Sequence, residues 1–172
     1  MATYVGLLRA VNVGGTGKLP MTELRAMCES AGFAKVRTYI ASGNVVFESD
    51  QPEQTAKAAL EATLAAYART PVGVMIRTGL EMAAILAANP FPSAASNRVV
   101  AIFLDSPPST DTLASVTGRG DEEIALGLRE IYVHYGSGMA HSKLKIPEAR
   151  LGTARNMNTV AKLTEWATQE IS

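Results

Sequence analysis

Cysteine is almost missing from this chain: Cys28 is the only one, which excludes an intrachain disulfide. No secretory leader is expected, and the expected setting is a reducing cytoplasm. No apolar run approaches the ~18 residues of a membrane helix, so no membrane is expected as a partner. Histidine is scarce as well. His134 and His141 are the whole set, with no H-x-x-x-H pattern, and neither a metal nor a cofactor is expected. Neither sign of charge is in excess, 16 Lys and Arg against 16 Asp and Glu, which argues against bulk DNA or an anionic surface. Aromatics make up 6%. The third predicted strand, "NVVFES", offers only Phe47, far short of the aromatic set with which an RNA-recognition sheet stacks bases.

What is present is an ordinary globular composition, 47% hydrophobic over 172 residues. Tyr4 to Val13 reads as a buried strand, and a helix follows from about Pro20 to a glycine stop at Gly32. In that helix Cys28 reads as a small buried hydrophobe. Val36–Ala41 and Val45–Glu48 form a hairpin about Ser42-Gly43-Asn44. Asp50 and Glu53 look like a capping box for a helix with Ala56, Leu60, Leu64 and Tyr67 on its apolar face. A strand over Val72–Ile76 completes βαββαβ, the ferredoxin-like pattern. Thr78 and Glu81 form a second capping box, for a helix that stops at Asn89-Pro90. Beyond it come a strand (Arg98–Leu104), a short helix in "STDTLASVTG", two strands in "EIALGLREIYVHY" and a last helix from Ala154 to Thr168. The expected fold is α+β, with duplicated ferredoxin-like halves (βαββαβ, then βαββα) and mainly antiparallel sheets. The expected divisions are 1–78, a connecting helix and Pro-containing linker at 79–97, and 98–172.

Three segments carry candidate chemistry. "VNVGGTGKLP" looks like a phosphate loop, but Asn12 stands where its first glycine belongs and Leu19 where its hydroxyl belongs. What survives is a loop of backbone amides with Gly14, Gly15 and Lys18 between a strand and a helix start, a geometry that suits an anion. A plain strand-to-helix turn is the competing account. Arg9 and Asn12 fall at the end of the buried strand, Arg9 pairing with Glu23 or Glu48 or pointing into a site. In "GTARNMNTVAKL" a helical reading gives Thr153 as cap and puts Arg155, Thr159 and Lys162 on one polar stripe beside Asn158. No G-x-S-x-G surrounds Ser42, which argues against a triad with His141.

The runs "YVGLLRAVNVGGTGKLPMTELRAMCESAGFAKVRTYIASGNVVFES" and "GTARNMNTVAKL" resemble the bacterial family called domain of unknown function 1697, and the likeness spans nearly the whole chain. Met157 stands where many relatives carry an aromatic. The resemblance implies a cytosolic α+β protein of duplicated ferredoxin-like halves, and it implies no activity. The expected function is binding of a small phosphate- or carboxylate-bearing ligand between the halves. The site would draw on Arg9, Asn12, Gly14, Gly15, Lys18, Ser42 and Asn44 from the first half, and on Arg155, Asn156, Asn158 and Lys162 from the second. The alternatives are a protein-protein interaction module, as monomer or homodimer, and a weak single-stranded nucleic-acid binder using Arg37, Lys143, Lys145, Arg150 and Arg155.

Overall fold

The computed structural model describes residues 1–11 and 18–169; the expected site residues Asn12, Gly14 and Gly15 lie outside the described residues. The fold is α+β, with two four-stranded antiparallel sheets and four α-helices among the described residues. Two compact units divide it: Met1–Ala83 with Leu163–Ser172, and Ala84–Lys162.

The first unit runs β1 (Ala2–Leu8), α1 (Met21–Ser30), β2 (Ala34–Tyr39), β3 (Asn44–Ser49), α2 (Glu53–Ala68), β4 (Val74–Thr78) and the start of α3 (Gly79–Ala87). Its strand order is β2-β3-β1-β4. The central strand β1 reads as an apolar run because it is buried along most of its length, paired on one side with β3 and on the other with β4. The edge strand β2 carries Lys35 and Arg37 and a bulge, devices that discourage pairing with a stray strand. Leu24, Met27 and Cys28 of α1 and Ala56, Leu60 and Leu64 of α2 bury the core. Burial first, and the Glu29 charge second, push the Cys28 thiol up to about 12. The folded protein is therefore expected to resist iodoacetamide at neutral pH, with labelling that appears only as it unfolds. The thiol is held neutral in the fold, so its stabilising effect is whole below the ordinary thiol value and lost as pH climbs towards 12.

Several boundaries differ from those expected. β1 stops at Leu8 rather than Val13, because Ala10 turns the chain with φ 55°. No side chain caps α2, so Asp50 does not close a capping box there. Tyr67, in the last turn of α2, is 45% exposed instead of lying in the core. By contrast, the Thr78–Glu81 capping box forms in full: Thr78 N donates to Glu81 Oε1 at 2.8 Å, and Glu81 N to Thr78 Oγ1 at 3.1 Å.

In the second unit β5 (Val99–Phe103) is buried throughout and central in the order β6-β7-β5-β8, with β6 (Glu123–Leu126), β7 (Glu130–His134) and β8 (Thr153–Asn156). Val100, Ile102, Leu104, Ile131 and Val133 form one hydrophobic cluster of its core. The short helix expected in "STDTLASVTG" is a turn with one 3-10 stretch, Leu113–Ser115. Its Ser, Thr and Asp side chains satisfy local backbone instead, as where Ser109 Oγ accepts from Asp111 N. The expected last helix is also shorter. Thr153–Asn156 pairs with β5 as β8, and α4 spans only Met157–Thr168. The element order βαββα is thus not found in this half: four strands precede its helix.

Candidate ligand-binding site

A cavity of 600 Å³ opens in the first unit where β1, the end of α2 and the start of β4 meet. Leu8 N donates to Gly43 O at 2.8 Å, which fixes the end of β1. One residue on, Arg9 N donates to Gly73 O at 2.9 Å, tying the Arg9 backbone to the turn before β4. Gly73 has no side chain, and a Cβ there would lie 3.6 Å from Arg9 Cβ and Cδ, so the arginine stem runs along this glycine. Arg9 is exposed, contrary to the buried position expected from its strand, and Glu48 pairs with Lys35 at 3.2 Å. Lys18 is exposed too and lines the same cavity. Val11, Leu19, Leu64 and Val72 supply an apolar wall, with Tyr67 and Thr70 beside it. No carboxylate lines it among the described residues.

The other expected site residues lie elsewhere. Asn44 is fully buried at the start of β3; its Nδ2 donates to Tyr39 O at 2.8 Å and to Ser42 Oγ at 2.9 Å. That pair locks the hairpin turn. Arg155 lies on β8 and not on a helix, and it is 6% exposed. Its Nη1 donates to Thr153 Oγ1 at 2.6 Å and to Ala154 O at 2.9 Å. Burial pushes the guanidinium down to about 10, so it stays charged at neutral pH. Asn156, rather than Thr153, caps α4: its Oδ1 accepts from Thr159 N at 3.0 Å. Asn158 is exposed on α4 and Lys162 half-buried, and with Arg155 on a strand the expected stripe on one helix does not form. The structure therefore brings Arg9 and Lys18 into one cavity and Ser42 and Asn44 into one turn.

No helix among the described residues is long and apolar enough to cross a membrane, and no group of three or more His, Cys, Asp or Glu side chains among them could hold a metal ion. A family model described as protein of unknown function, DUF1697, matches residues 1–132. The chain belongs to that family. The fold is also similar to the solved structure of the conserved bacterial protein SP0830 from Streptococcus pneumoniae, with a TM-score of 0.80 and 27% identity over 97% of this chain and 99% of that one. No curated protein matches the chain.

In this DUF1697 protein, sequence reasoning found the two cations but missed the far wall of the cavity, Tyr67 and Thr70–Gly73. A signal was there. "ARTPVG" is a turn after a long helix, and a Tyr in the last turn of a helix sits where the apolar face runs out of sheet to cover.

Proposed function

We propose that the first unit binds a small anionic ligand, a carboxylate or a phosphate, in the cavity at the end of β1. One observation carries the reading: two exposed cations, Arg9 and Lys18, line a 600 Å³ cavity with no carboxylate among its described lining residues. The volume is within the ~300–1,000 Å³ usual for ligand pockets. The C-terminal end of α2 opposes an anion, but with only about half an elementary charge against two full positive ones. The planar fork of Arg9 can donate to two oxygens of a carboxylate or of a phosphate, and Lys18 adds a point charge. A cytoplasmic setting accords with the single cysteine. We also infer that the two units repeat one ferredoxin-like plan, the second without its interstrand helices; the support is the strand order, β2-β3-β1-β4 against β6-β7-β5-β8.

The test is calorimetric titration of acetate, inorganic phosphate and glycerol phosphate into the wild type and into Arg9→Gln and Lys18→Gln proteins. A hydrogen bond to a charged group contributes about 1.5–3 kcal/mol. Each variant should thus bind about 10- to 100-fold more weakly, with unchanged thermal stability because both side chains are exposed. A double variant that binds as the wild type does removes the site.

A further inference from the structure

We infer that the ligand of this cavity is an amphipathic acid, an anionic head carrying an apolar body, an inference that rests on the anion-binding reading above. Size is the first argument. A water molecule's share of liquid volume is about 30 Å³, so a phosphate or an acetate leaves most of a 600 Å³ cavity to solvent. The wall is the second. Val11, Leu19 and Leu64 line the cavity and are also members of the main hydrophobic core of the unit, and Val72 packs against that core. The cavity opens onto the side of the core itself. An apolar body placed there extends the core and is itself taken out of water.

Polarity along the cavity gives the orientation. Arg9 and Lys18 are exposed at the solvent side, while Leu64 is 1% exposed and Leu19 6%. The head therefore sits between the two cations and the body points inward past Leu19 to Leu64. Tyr67, half in solvent, also lines the cavity and brings an aromatic ring and a hydroxyl to it. Such an arrangement, an apolar wall facing convergent polar groups, is how small-molecule sites obtain affinity from one part of a ligand and orientation from another.

The experiment is a chain-length series by calorimetry on the full chain: acetate, butyrate, hexanoate and octanoate, with octyl phosphate and octan-1-ol as head-group controls. Each buried methylene contributes about 0.8 kcal/mol, so affinity should rise about fourfold per methylene until the cavity is filled. Octanoate or octyl phosphate should bind best, and the two arms tell a carboxylate head from a phosphate one. Tyr67→Ser and Val72→Thr should each lower the octanoate affinity severalfold and leave that of acetate unchanged. Arg9→Gln should lower both. Acetate and octanoate binding equally overturns the amphipathic ligand and keeps the anion site. Octan-1-ol binding as tightly as octanoate overturns both, and so does a series with no binding at all.

Discussion

A Phe47→Ala protein is expected to lose about 3–5 kcal/mol of stability. Phe47 is fully buried on β3, stacked on Phe33 with ring centroids 4.1 Å apart and planes 10° from parallel, and it meets Tyr4 at 5.7 Å in a tilted contact. Truncation removes the transfer energy of a whole ring and leaves a hole bounded by two other rings, which cannot collapse into it without leaving their own rotamers. In a chain of this length each kcal/mol moves Tm by about 2–4 °C, so a fall of roughly 10 °C is expected in a calorimetric scan. Leu80→Ala is the control. Leu80 is 83% exposed, and its loss should stay within about 0.5 kcal/mol. The result also bears on nucleic acid, since Phe47 is the one aromatic in the sequence of its strand. A stacking platform for bases is solvent-facing and can be truncated cheaply; a large loss of stability is the signature of an interior ring.

How much was legible follows the range of the interactions concerned. The hairpin β2–β3, the glycine stop of α1 and the capping box of α3 are local, and turn and cap chemistry marks them in sequence. The strand β8 is not local. "TARN" runs without a break into the helix-forming "MNTVAKL", and no glycine or proline separates the two. What makes it a strand is antiparallel pairing with β5, Ala101 opposite Arg155, from a segment some fifty residues away. That pairing moves the helix start from Ala154 to Met157 and turns Asn156 from a candidate ligand contact into a cap. The site divides in the same way. Arg9 and Lys18 stood out as cations flanking a glycine loop. Their shared cavity is closed by the turn after α2, brought there by the β1–β4 ladder and its last bond from Arg9 N to Gly73 O, a contact that no local pattern announces.

Gly43→Ala is expected to cost clearly more than Gly32→Ala, although the two glycines have nearly the same backbone angle. Gly32 follows α1 with φ 92°, its N–H donating to Glu29 O while Phe33 N–H reaches back to Cys28 O, the paired bonds that close a helix on a left-handed residue. A Cβ there would meet nothing within 4 Å, so only the left-handed conformation is penalised, by about 1–2 kcal/mol. Gly43, with φ 89°, sits in the hairpin turn below the end of β1. A Cβ there would lie 2.6 Å from Val11 Cγ2 and 2.9 Å from Leu8 Cβ. Leu8 is held by the bond from its own N–H to Gly43 O, so it cannot retreat without breaking the contact that ends β1. Overpacking adds about 1–3 kcal/mol to the conformational term. The same turn already holds Ile40, a β-branched residue, at φ 50°, a placement that itself stores strain. Urea denaturation of the two variants separates the terms: their difference reports the contact with Leu8 and Val11, because the φ penalty is common to both. Equal losses would mean that the end of β1 yields to the new methyl. Val11 lines the cavity and Arg9 lies between it and Leu8, so that yielding would carry over to the affinity of the site.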